Sequence, residues 1–136
     1  MLRGSPILGG IFAVLLGCTG AGSTASDRGT VIGAWRGPHA SLLLTDSAGS
    51  IEYDCGHGAL HSPVQPDAEG RFTIAGAHVR EHGGPVRDGE VPDSIPAQYV
   101  GQVRGDLITL RVLVGSDTLG PFALRRDGAP QVIKCL

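Results

Sequence analysis

The chain has 136 residues, a formal net charge of −2 and 18% charged residues with neither sign in a run, which excludes a surface built to hold nucleic acid. Its 22 glycines and nine prolines are scattered along the whole length and exclude a bundle of long helices. The length excludes several independent domains.

The first element is MLRGSPILGGIFAVLLGCTG. Arg3 precedes an apolar run from Ile7 to Leu16, about ten residues, which is too short to span a bilayer. A charged start, a short apolar core and small residues after it describe a secretory signal. The run ends in Leu15-Leu16-Gly17-Cys18, and this resembles the lipobox of bacterial lipoproteins. The resemblance implies a signal peptide over residues 1–17, cleavage before Cys18, and lipid, palmitate included, on that cysteine. Several acyl chains give a stable anchor where one gives marginal binding, so the membrane becomes a partner. Thr19 stands where Asp would mark inner-membrane retention, which implies the outer membrane with the domain facing the periplasm. An ordinary signal peptide cut slightly later is the alternative. Residues 18–30 are then a small, polar, flexible tether, and residues 31–136 a single domain.

The domain reads as strands and turns throughout, with no helical period. Val31–Trp35 is the first strand, before Gly37-Pro38. Ala40–Thr45 and Ser50–Cys55 form a hairpin about Asp46-Ser47-Ala48-Gly49. Arg71–Ala77 follows the turn at Asp67–Gly70; Gln98–Arg104 and Leu107–Val114 meet at Gly105-Asp106. Thr118–Arg125 and Gln131–Cys135 complete eight candidate strands. Ile108, Leu110, Val112 and Val114 share one face of their strand while Thr109 and Arg111 take the other. One apolar and one polar face per strand is the mark of an antiparallel sheet around a single core. The fold class expected is all-β, a small up-and-down barrel of about eight strands, with a two-sheet β-sandwich as the alternative. Gly33-Ala34-Trp35 is similar to the Gly-x-Trp that opens lipocalin-type barrels and favours the barrel. The order of that motif, IEYDCGHG, GRF, EHGGP, PAQYVGQV, TLRV and a terminal Lys-Cys resembles a group of small secreted bacterial proteins with no assigned activity.

Residues 78–97, HVREHGGPVRDGEVPDSIPA, interrupt the regular spacing with three prolines and a Gly-Gly. A long irregular loop in a small domain is either functional or without consequence. His82, Gly83, Gly84, Pro85 and Arg87 at its centre are the candidate binding residues.

YDCGHGALH, residues 53–61, gathers the candidate chemistry. Cys55, His57 and His61, with His78, His82 and Asp54, supply the thiolate, imidazole and carboxylate that zinc or copper takes. His57 and His61 would stand about 13 Å apart on a strand, at ~3.3 Å per residue, so a shared metal needs the chain to turn back. Cys55 beside a histidine base could instead be a nucleophile. The third reading is a disulfide from Cys55 to Cys135, expected for two remaining thiols in an exported domain. Register with Ile51, Tyr53 and Ile133 places both cysteines on the core side. The disulfide is the reading adopted, and it removes the metal's best ligand. GHGALH is expected to be a glycine-loosened exit loop with solvated histidines. Asp54, Glu81 and Glu90 are carboxylates whose separations the sequence leaves open.

No serine-nucleophile, phosphate-loop or dinucleotide motif occurs. The function expected is non-catalytic: a lipid-anchored extracytoplasmic module binding a protein, glycan or small ligand through its irregular loops, with no cofactor. A histidine-based metal protein or metalloenzyme on His57, His61, His78 and His82 is the alternative.

Overall fold

A computed structural model describes residues 29–135. The expected signal peptide over 1–17, Cys18 and most of the expected tether lie outside the described residues. Eight antiparallel strands follow one another around a closed barrel. Four short strands come first: β1 Gly33–Gly37, β2 Ala40–Leu44, β3 Gly49–Tyr53 and β4 Gly56–Leu60. Four longer ones follow: β5 Arg71–Arg80, β6 Ser94–Arg104, β7 Leu107–Val114 and β8 Asp117–Arg125. Each strand pairs with its predecessor, and Arg36 opposite Arg125 closes β1 onto β8.

The meander gives the barrel two ends. The upper end carries the turns at 38–39, 54–55 and 115–116 and the long loop 81–93. The lower end carries 45–48, 61–70 and 105–106, and there Val31 donates its amide to the Val64 carbonyl at 2.8 Å. The chain therefore enters the barrel from below.

Alternation supplies the core, as the pattern predicts. Trp35, Leu42, Ile51, Leu60, Tyr99, Ile108, Leu110, Val112 and Leu124 are fully buried in one cluster. Side chains fill a barrel this small. At the lower end Arg126 lies over the Trp35 ring, 4.3 Å from its centroid, and donates to the Ile32 carbonyl at 3.1 Å. The cation thereby meets the ring face while it satisfies a backbone acceptor.

Two expected elements differ. GHGAL is a strand, β4, in register with both β3 and β5. Its glycines are there for space. A Cβ on Gly58 would stand 2.0 Å from the Tyr99 hydroxyl and 2.6 Å from the Ala77 carbonyl oxygen, so only glycine lets the tyrosines cross beneath the strand. The expected strand Gln131–Cys135 is a tail that strand pairing touches only at one isolated parallel bridge, Pro38 with Gln131. β1 has already closed the barrel on β8, so the tail's backbone groups go to the upper turns. His39 donates to the Gln131 carbonyl at 2.9 Å, and Cys55 to the Ile133 carbonyl at 3.0 Å. The first strand also starts two residues late, at Gly33, and the irregular loop narrows to 81–93 because β5 and β6 extend through His78 and Ala97.

Candidate functional site

The tail crosses the upper rim from the β1–β2 turn to the β3–β4 turn, where Cys55 and Cys135 form a disulfide with Cα atoms 4.9 Å apart. Both cysteines are half-buried at the rim, and Ile133 is exposed. The expectation that the two cysteines face the core is therefore corrected. Cys55 is a turn residue with φ +54°, so the strand alternation that begins at Ile51 stops at Tyr53. Asp54 ties the tail at the same turn by accepting the Ile133 amide at 2.8 Å and meeting His39 Nδ1 at 2.5 Å. The Ile133 amide, then His39, holds the Asp54 carboxyl below its usual range.

Lys134 points the other way. Its ammonium meets the Glu52 carboxylate, donates to Glu81 at 3.0 Å and lies over the end of β4. Glu81 also accepts from His57 Nδ1 at 2.9 Å. His57 and then Lys134 hold the Glu81 carboxyl low, since each hydrogen bond favours its charged form. Burial opposes the charge on Lys134, but its bonds to Glu52 and Glu81 outweigh that and raise its pKa. The tail, β3, β4 and the root of the long loop are thus joined by one charged chain.

That chain borders a groove of about 590 Å³. One wall is the outer face of β4 and β5, with His57 and Val79; the other is the long loop, with His82, Gly84, Val86, Glu90, Val91 and Pro92, and Cys135 closes one side. Val86 and Val91 are 76% and 83% exposed, which places apolar surface where folding alone gives it no use. Arg80, Glu81 and Asp93 add charge to the lining. A second hollow of about 630 Å³ lies within the loop and is lined by residues from His82 to Glu90, Gly83, Pro85 and Arg87 among them.

The structure brings two of the four candidate histidines, His57 and His82, to one groove. His61 is exposed in the lower connection. His78 is buried inside the barrel against Tyr53, its ring 5.4 Å from the tyrosine ring and its Nδ1 bonded to the phenol. His78 continues on β5 the inward series of Phe72, Ile74 and Gly76. Burial, then the neighbouring Arg80 and His57, lowers its pKa and so favours the neutral ring. Burial likewise raises the phenols of Tyr53 and Tyr99, and Tyr99 donates to the Ala77 carbonyl at 2.6 Å. Among the described residues no three histidine, cysteine, aspartate or glutamate side chains are grouped as a metal centre requires.

Of the five expected loop residues, His82 and Gly84 line the groove itself, and Gly83, Pro85 and Arg87 line the adjoining hollow. The sequence reading missed Val79, Val86 and Val91, and it named Glu81 without placing it. Two valines in a charged, Pro- and Gly-rich loop that forms no strand were the available signal.

No family model matches the chain, and comparison with curated proteins and with solved structures finds no match.

Proposed function

We propose that this is a lipid-anchored, extracytoplasmic binding module whose ligand seat is the groove between the β5–β6 loop and the outer face of β4–β5. The observation that carries the reading is the groove itself. Exposed valines and a polar border of His57, Glu81 and His82 meet in a hollow of about 590 Å³, inside the size range of small-molecule sites. An apolar lining with few polar groups suits a small amphiphilic ligand, or the end of a larger protein or glycan. The placement also suits an anchored receptor: the chain enters at the lower end, and the groove opens near the upper one.

The anchor makes its own prediction. Expressed in a bacterial host, the full chain is expected to incorporate an alkyne-palmitate label, and Cys18→Ala to lose it. Labelling that persists in Cys18→Ala would contradict the lipobox assignment.

For the groove, saturation-transfer NMR against mixed glycan fragments, short peptides and small apolar compounds is the direct screen. Val91→Asp is the control variant. Val91 is 83% exposed, so the substitution is expected to change stability by no more than about 0.5 kcal/mol. Hits on the wild-type chain should vanish in Val91→Asp. Hits that persist undiminished would place the ligand elsewhere.

A further inference from the structure

His82 has an acceptor at each ring nitrogen. Its Nδ1 lies 3.1 Å from the Gly83 carbonyl oxygen, and its Nε2 meets the Glu90 carboxylate. Neither partner donates, so both contacts are hydrogen bonds only when both ring nitrogens carry protons. A neutral imidazole keeps one of the two. Glu90 is equally committed. Its second oxygen accepts the Arg87 amide at 3.0 Å, and its own amide donates to the Arg87 carbonyl at 3.0 Å. One carboxylate thus joins the start of the loop to the turn near its end, and the segment so closed carries Val86 on the groove side.

We propose that the β5–β6 loop is a proton-dependent clasp on the groove: the His82 imidazolium and the Glu90 carboxylate together hold it in its ligand-receiving form, and loss of either charge loosens it. The proposal rests on the groove being the ligand seat. The titratable and charged groups that share the hollows with His82 are Glu81, Arg87, Asp88, Glu90 and Asp93 of the loop, Arg80 at the end of β5, and His57 on β4; Lys134 of the tail reaches the same Glu81. Of these, Glu90 and Asp93 act on the His82 ring to favour its charged form.

The two groups shift in opposite directions. The Gly83 carbonyl, then Glu90, holds His82 above its ordinary value of 6.5. The Arg87 amide, then His82, holds Glu90 below its ordinary 4.5. A raised histidine contributes fully below its ordinary value and loses its contribution as pH rises through the raised one. A lowered carboxylate contributes above its ordinary value and loses its contribution as pH falls through the lowered one. The clasp therefore holds between them and slackens on both sides.

Amide hydrogen exchange of the full chain in detergent, corrected for intrinsic rates, tests this from about pH 4 to about pH 9. The reporters are the Arg87 and Glu90 amides. Protection is expected to be greatest between the two titrations and to fall about two- to fivefold on the alkaline side, the effect of one exposed charged pair. His82→Gln, which offers Glu90 an uncharged donor, is expected to lose that alkaline limb. Flat protection in the wild type, or an alkaline limb unchanged in His82→Gln, overturns the clasp. Fluorescence titration with bis-ANS on the wild type and Val91→Asp separates the underlying reading. Dye binding lost in Val91→Asp alongside flat exchange overturns the clasp alone. Dye binding unchanged by Val91→Asp overturns the groove, and with it the clasp's role there.

Discussion

Replacing Cys135 with serine is expected to lower the unfolding free energy by about 4 kcal/mol, read from urea denaturation. The bridge spans 80 positions, and the chain-entropy model assigns a closed loop of that order about 4.5 kcal/mol, taken from the unfolded ensemble. A domain of this size has only about 5–15 kcal/mol in all, so the staple is a large share of what holds it. Its position adds to the effect. The tail makes one isolated bridge and a few turn contacts, so an unlinked tail gives up the Lys134 bonds to Glu52 and Glu81 along with the disulfide. Thiol labelling without reductant should find neither Cys55 nor Cys135 free. A loss below about 1 kcal/mol, or free thiols in the native chain, would contradict the assignment.

The second large effect is expected at a residue with no side chain. Gly58→Ala should cost about 3 kcal/mol, combining overpacking with a disturbed buried hydrogen bond. The added carbon would meet the Tyr99 hydroxyl at 2.0 Å and the Ala77 carbonyl oxygen at 2.6 Å, while that hydroxyl donates to that carbonyl. Tyr99 is fully buried, so it has no open space to move into. Tyr99→Phe removes the nearest clashing atom. The double variant should therefore be less destabilised than the sum of the two single ones, a coupling that a double-mutant cycle measures directly. Strict additivity would show that β4 does not cross the tyrosines as described.

These two sites also mark what the sequence made legible. The barrel was readable because period-two alternation in β5, β6 and β7 is strong and the turns are short. The pairing of Cys55 with Cys135 was readable from the lipobox resemblance, which leaves two thiols, and from arithmetic. β4 was not, because Gly56 and Gly58 read as breakers until Tyr53 and Tyr99 supply the reason for them. The expected count of eight strands came out right through two opposite errors: β4 was read as a loop and the tail as a strand. The groove was half legible. His82 and Gly84 stood out in a Gly-Gly-Pro segment, but Val79 and His57 enter the wall only once β4 pairs with β5, a long-range register no local pattern states. Lys134 reads as an ordinary terminal charge until the disulfide sets it beside Glu52 and Glu81.

The proposed ligand seat is the groove rather than the barrel interior or the lower turns. Backbone amide shift mapping of the full chain with any ligand found by the NMR screen tests it most directly. The largest shifts are expected at His57, Val79, Val86 and Val91, with the turns at 45–48 and 105–106 unmoved. Largest shifts at those lower turns, or at core positions such as Leu110 and Leu124, would contradict it.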